Sequence, residues 1–273
     1  MNKFHGILIC TDLDGTLLKN DKTVSKENLD AIGYFQSEGG YFTFVTGRMP
    51  FFVHSIVDMI RPNAPIGCIN GGGVYDFATN QYLWTKTLPH SVLELVEYAD
   101  QSVPGLGVQV NLFDRILFCR ENDATELFRE LTGVPRLNCD YDDISEPIAK
   151  IVFCDNDENH INRLQEVLYA HPRAGEFDFI RSEKTLYEIL PRGIHKGVAL
   201  PKLAELLGVD MSRTIAVGDY NNDIGMLQTA GCGVAVANAC PEAKAAADRV
   251  TVSNEESAIA RIIADIESGD LKI

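Results

Sequence analysis

The segment GILICTDLDGT, residues 6–16, carries an apolar run directly into two acidic residues. A short apolar run next to a turn-forming glycine is typical of a buried β-strand. Asp12 and Asp14 follow that run at positions i and i+2. If the strand belongs to a parallel sheet, both carboxylates lie at its carboxyl edge, where open α/β sheets bind ligands. The segment therefore predicts a buried strand that ends in a polar site.

The residues that follow continue an alternating α/β pattern. A helix is predicted near 25–38, where Ser25 can cap the first turn and Gly39 can end the last one. The next apolar run, residues 41–45, predicts a second strand, so the unit is strand, helix, strand with a parallel pairing. Further strands are predicted over 66–69, 214–217 and 233–236.

Between residues 85 and 190 the pattern changes. Short strands follow one another closely there, which favours antiparallel pairing. The sequence thus predicts a discontinuous core formed by 1–84 and 191–273, and an inserted mixed α/β domain over 85–190. The predicted fold class is α/β.

The charge balance limits the partners of this chain. The formal net charge is −15, from 39 acidic and 24 basic residues. Such a charge repels a nucleic-acid backbone, so we expect no nucleic-acid partner. A site that handles phosphate in this chain needs local positive charge from a cation, a basic side chain or a helix N-terminus.

The cysteines and the hydropathy pattern indicate the compartment. The seven cysteines form no CxxC pair, and several lie within apolar runs. No window reaches the roughly 18 apolar residues of a membrane span. We therefore expect a cytoplasmic protein with no membrane partner.

Polar residues follow other predicted core strands as well. The second strand ends in Thr46-Gly47-Arg48, and the strand over 214–217 ends in GDYNND, residues 218–223. Lys196 begins a predicted helix just after the insertion. Three strands therefore deliver polar residues to one edge of the sheet.

These motifs, in this order, resemble the haloacid dehalogenase-like superfamily, whose phosphatases share DxDGT, a hydroxyl residue after the second strand, a lysine and a late GDxxND. The large insert resembles that of the Cof-type branch. The resemblance implies a three-layer Rossmann-like parallel sheet core with an inserted α/β cap for substrate specificity. It assigns catalysis to Asp12 as nucleophile, Asp14 as general acid and base, Thr46 and Lys196.

A phosphate monoester is a dianion, so attack by a carboxylate needs positive charge at the equatorial oxygens. The resemblance implies Mg²⁺ as the cofactor, and oxygen ligands suit this ion. The implied metal ligands are Asp12, Asp14 through its backbone carbonyl, Asp219 and Asp223. The implied phosphate- or substrate-binding residues are Leu13, Gly15, Thr46, Gly47, Arg48, Lys196 and Asn222.

The expected function is a Mg²⁺-dependent phosphatase that hydrolyses a small phosphorylated metabolite, with a sugar phosphate favoured, through an aspartyl-phosphate intermediate. The expected partner is that metabolite, and the chain is expected to be a monomer or a small homo-oligomer. Three alternatives stay open: a phosphomutase of the phosphomannomutase type, a signalling receiver that is phosphorylated on aspartate, and a non-catalytic protein that binds phosphometabolites.

Several residues have two interpretations in the sequence. Arg48 can contact substrate or pair with an acid, and Asn70 can form a turn or contact substrate. Residues Tyr187, Glu188 and Arg192, near the end of the insertion, are candidates for substrate contact. His5 and His195 receive no role.

Overall fold

The computed structural model describes residues 2–273, which group into two compact units. One unit comprises the described residues up to Thr85 together with His195–Ile273, and the other is Lys86–Ile194. The strands are β1 Leu8–Thr11, β2 Tyr41–Phe44, β3 Ile66–Cys68, β4 Gly73–Asp76, β5 Gln81–Thr85, β6 Gly107–Leu112, β7 Ile116–Arg120, β8 Ile148–Cys154, β9 Phe177–Glu183, β10 Leu186–Pro191, β11 Thr214–Gly218, β12 Cys232–Ala235 and β13 Arg249–Val250. The α-helices are α1 Lys26–Ser37, α2 His54–Ile60, α3 Val92–Ser102, α4 Asp123–Thr132, α5 Glu158–Ala170, α6 Lys196–Leu207, α7 Ile224–Thr229, α8 Pro241–Ala246 and α9 Ala258–Ser268.

The first unit is built on a parallel sheet with the strand order β13-β12-β11-β1-β2. In it, β1 lies between β11 and β2, and Leu8 is in register with both Thr214 and Tyr41. Every residue of β1 is buried, as expected for a strand covered on both faces. This topology places the carboxyl ends of β1, β2 and β11 side by side.

The predicted third strand departs from the parallel pattern. Although the amide of Thr46 donates to the carbonyl of Gly67, this is an isolated bridge, and β3 pairs antiparallel with β4 in a separate sheet of order β3-β4-β5. The strand also ends at Cys68, one residue earlier than predicted, because Ile69 has a left-handed backbone.

The second unit has an antiparallel sheet with the order β7-β6-β8-β10-β9. Alternate residues of its strands, such as Val108, Val110 and Ile151, join side chains of α3 and α5 in one apolar core. This core consists only of residues from that unit. The predicted α/β class, with a parallel core sheet and additional antiparallel sheets, is confirmed.

The helices of the described chain, residues 2–273, include none that combines the length and the apolar character needed to cross a bilayer.

Candidate active site

Asp12 lies immediately after β1, and its amide donates to the carbonyl of Val217. The residue is 5% exposed, and its carboxylate accepts a hydrogen bond from Lys196, with Nζ 2.5 Å from Oδ1. The same ammonium lies 2.6 Å from Oδ1 of Asp223. Lys196 is the first residue of α6 and is 2% exposed, so its charge is held inside the unit by two carboxylates.

The loop after β11 fixes the other two acidic groups. Oδ2 of Asp223 accepts hydrogen bonds from the amides of Asp219 and Tyr220, at 2.9 and 3.0 Å. The hydroxyl of Thr16 donates to Oδ1 of Asp219 at 2.7 Å. Gly15 has a φ of +83°, and a Cβ there would lie 2.5 Å from Oδ2 of Asp219. The glycine of DLDGT is therefore needed for its backbone angle and for the close approach of this carboxylate.

Three carboxylates, from Asp12, Asp219 and Asp223, offer oxygen atoms within 4.8 Å of one another. They face one lysine, so the cluster carries excess negative charge. Burial, together with the nearby carboxylates, raises the pKa of Asp12 against the opposing charge of Lys196. Burial likewise raises the pKa of Asp219. A hard divalent cation would supply the missing positive charge, and these oxygen donors fit such an ion.

The side chain of Asp14 lies outside this three-carboxylate cluster and is held by two cations. Arg48 donates to it from Nη2 at 2.8 Å and Lys22 donates from Nζ at 2.8 Å. Burial raises the pKa of Asp14, but the hydrogen bond from Lys22 and the charges of Arg48 and Lys22 outweigh it, so that the pKa is lowered. Of the two interpretations of Arg48, the structure shows the ion pair with an acid.

Thr46 and Gly47 form a tight loop after β2. The Thr46 hydroxyl oxygen accepts from the amide of Arg48 at 3.2 Å, which leaves its own O–H available as a donor. A Cβ at Gly47 would lie 2.8 Å from Oδ1 of Asn70, so this position requires glycine. Asn70 has a φ of +52° and forms part of the turn after β3.

The remaining predicted residues take varied positions. Leu13 is fully buried and Asn222 is half-buried in the short turn Asn221–Asp223. His5 is exposed, and the ring of His195 packs so closely on Gly225 that a Cβ there would lie 2.1 Å from Nδ1.

The three candidates near the end of the insertion belong to the second unit. Tyr187 is part of its apolar core. Glu188 accepts from Lys150 at 2.8 Å, and Arg192 donates to Asp178 at 2.7 Å. Contact of these residues with substrate stays a prediction.

Sequence reasoning missed two residues that touch the motifs. Lys22 binds Asp14, and the Asn238 amide donates to the carbonyl of Gly15 at 2.8 Å. Lys22 lies in a polar stretch and Asn238 is a single polar residue in the apolar segment 232–240, so neither belongs to a motif, and only the folded chain brings them to DLDGT.

Comparisons with known proteins identify the family of this chain. The family model of the haloacid dehalogenase-like hydrolases matches residues 9–263. The putative phosphatase YxeH of Bacillus subtilis is 32% identical, over 95% of this chain and 97% of the relative. The 5-amino-6-(5-phospho-D-ribitylamino)uracil phosphatase YitU of the same species is 29% identical, over 94% and 96%. A solved haloacid dehalogenase-like hydrolase from Bacteroides thetaiotaomicron superposes with a TM-score of 0.82 at 26% identity, covering 95% of this chain and 99% of that one. This chain therefore belongs to the haloacid dehalogenase-like hydrolase family, and within it to the phosphatases of the Cof type.

Proposed function

We propose that this protein is a Mg²⁺-dependent phosphatase that transfers the phosphoryl group of a small phosphorylated metabolite to Asp12 and then to water. The observation that carries the proposal is the buried contact of Lys196 with both Asp12 and Asp223, beside Asp219. In this proposal, Asp12 supplies a nucleophilic carboxylate, Lys196 a fixed cation, and the three acidic residues the oxygens for a metal ion, at the carboxyl ends of β1 and β11.

Mg²⁺ would be held by Asp12, Asp219 and Asp223 together with the backbone carbonyl of Asp14, and it would neutralise charge on the phosphoryl oxygens. Lys196 orients the carboxylate of Asp12 and adds a second positive charge. The Thr46 hydroxyl and the backbone amides of Leu13, Gly15 and Gly47 are proposed as neutral donors to phosphate, with Asn222 as a further contact.

In the first step, an Oδ of Asp12 forms a bond to phosphorus while the bond from phosphorus to the ester oxygen breaks. Asp14 gives its proton to the leaving alcohol oxygen. In the second step, a water oxygen attacks phosphorus, Asp14 takes the proton of that water, and the bond between Asp12 and phosphorus breaks to release inorganic phosphate. Asp14 must therefore be protonated when substrate is bound, and the dianionic phosphate would compete with it for Arg48 and Lys22.

For the substrate, we propose a small polar phosphate ester, with sugar phosphates as the first candidates. The relative YitU is named for a phosphorylated ribityl compound, which supports a polyhydroxylated leaving group. The second unit has its own core and sheet, and we propose that it is the cap that selects the substrate. We propose that the protein works in the cytoplasm.

The test is phosphate release by the purified chain from a panel of hexose, pentose, ribityl and pyridoxal phosphates with Mg²⁺. We expect release from some members and none from the Asp12→Asn variant. Failure to release phosphate from every member with Mg²⁺ or Mn²⁺ would contradict the proposal. An isomerised sugar phosphate that requires a bisphosphate activator would instead identify a phosphomutase.

A further inference from the structure

The turn after β3 has an unusual backbone. Ile69, Asn70 and Gly71 all have left-handed φ values, of +56°, +52° and +92°. A β-branched residue such as isoleucine is strongly disfavoured in this region, whereas asparagine tolerates it and glycine favours it. The other non-glycine residues with positive φ between residues 2 and 273 have no such neighbour next to them: Lys22, Arg61, Asn80 and Ser257. Such strain persists only where the surroundings hold it in place.

One side of this turn holds the loop after β2. The amide of Ile69 donates to the carbonyl of Arg48 at 3.1 Å, and the amide of Asn70 donates to the carbonyl of Thr46 at 3.0 Å. Asn70 is 2% exposed, and its side-chain amide lies directly against Gly47. The turn therefore contacts all three residues of Thr46-Gly47-Arg48.

The other side of the turn abuts the start of α6. A Cβ on Gly71 would lie 2.2 Å from the carbonyl oxygen of His195 and 3.1 Å from Cα of Lys196. The backbone at Gly71 thus touches the residue pair that begins the helix and carries the buried ammonium. One segment of three residues with left-handed φ values therefore contacts both the Thr46–Arg48 loop and the start of α6.

We infer that Asn70 is a positioning residue, which fixes the spacing between the Thr46–Arg48 loop and Lys196 so that both act on one phosphoryl group. The inference rests on the proposed function of that site. The buried side chain sets the position of Gly47, and the left-handed backbone sets the approach of Gly71 to α6. A residue that only forms a turn needs the backbone angle alone, whereas a positioning residue also needs the side chain.

The Asn70→Gly variant separates these two roles, because glycine keeps the left-handed backbone and removes the amide. The matched control is Asn80→Gly, since Asn80 has a φ of +55° in the exposed turn between β4 and β5. The measurements are kcat and KM with the best substrate of the panel, the affinity for inorganic phosphate from its stabilisation against thermal unfolding, and the unfolding midpoint without phosphate.

We expect Asn70→Gly to fold, to lose about tenfold or more in kcat, and to bind inorganic phosphate more weakly, because small displacements of catalytic groups are costly. Asn80→Gly should match the parent protein in each of these measurements. If Asn70→Gly folds and keeps both kcat and phosphate affinity within about twofold of the parent, the inference is wrong.

Two further outcomes are informative. If Asn70→Gly fails to fold, Asn70→Asp is measured instead, because aspartate keeps the size and tolerates the same φ. It should lower kcat and phosphate affinity, and parental values would overturn the inference. If the parent releases no phosphate from any ester, the proposed function fails, and phosphate affinity alone decides the role of Asn70: a loss in the variant supports it and parental affinity overturns it.

Discussion

Arg48 holds Asp14 with its Nη2 atom 2.8 Å from both carboxylate oxygens, while Nε lies 3.2 Å from Oδ2. Asp12, two residues earlier, is bound by Lys196 instead. Two neighbouring acids therefore have opposite surroundings: burial raises the pKa of Asp12, whereas cations lower that of Asp14. The proposed roles require the opposite protonation states in the substrate complex: Mg²⁺ would keep Asp12 ionised, and the dianionic phosphate would compete with Asp14 for Arg48 and Lys22.

Lys22→Met should make the proposed acid easier to protonate. Loss of the Lys22 ammonium removes a hydrogen bond and a nearby positive charge from Asp14. The neutral form of Asp14 is then favoured, and its pKa rises. The protonated acid then persists to higher pH. We expect the alkaline limb of kcat/KM for an alkyl phosphate to move up by about half a pH unit.

The control for this prediction is Lys26→Met, which removes an exposed lysine paired with Asp30 on α1. Its pH profile should equal that of the parent. With nitrophenyl phosphate, whose leaving group needs no proton, the limb should not move in Lys22→Met. If the alkaline limb of kcat/KM in Lys22→Met does not move with the alkyl ester, or moves equally with both esters, Asp14 is not the acid.

The structure explains which parts of this site were predictable from sequence. Asp12, Thr46 and Asp219 each follow a buried strand, and parallel pairing of β1, β2 and β11 brings strand ends together. Lys22 was not predictable, because its contact with Asp14 depends on the path of an exposed loop. The left-handed φ of Ile69 was also not predictable, because isoleucine usually indicates an extended strand.

Mg²⁺ should stabilise the folded protein, because an ion that binds only the native state raises the unfolding midpoint. Asp219→Asn should abolish most of this rise. Without metal, the same variant should be at least as stable as the parent at pH 7. Burial raises the pKa of Asp219 in the folded state above its value in the unfolded chain. Ionisation of this carboxyl therefore lowers the stability of the parent at any pH above the unfolded pKa.

Differential scanning fluorimetry with and without Mg²⁺ measures both effects. The matched control is Asp58→Asn, which removes an exposed carboxylate on α2 and should leave the magnesium increment unchanged. An Asp219→Asn variant with the full parental increment would contradict the assignment of this residue to the metal.

Replacing Lys86–Ile194 by a short glycine–serine linker should leave a folded first unit, because the apolar core of the second unit contains only its own residues. The shortened protein should unfold cooperatively and should still hydrolyse nitrophenyl phosphate with Mg²⁺. It should lose discrimination among the metabolites of the panel. If it keeps the substrate ranking of the full chain, the second unit does not select the substrate.

The variants Asp12→Asn and Asp14→Asn should differ in kind, because the proposed mechanism gives the two acids separate tasks. Asp12→Asn removes the attacking oxygen, so it should take up no ³²P label from any ester, even one with a good leaving group. Asp14→Asn keeps the backbone carbonyl and the nucleophile but removes the proton donor, so attack on nitrophenyl phosphate should survive. Hydrolysis of the aspartyl phosphate lacks its base in this variant, and labelled protein should therefore accumulate. The label should be stable to acid and released by hydroxylamine. Asp14→Asn also removes the carboxylate that pairs with Arg48, so Asp14→Glu serves as the control that retains the charge. Equal behaviour of the two asparagine variants with nitrophenyl phosphate, or label on Asp12→Asn, would overturn the assignment of nucleophile and acid.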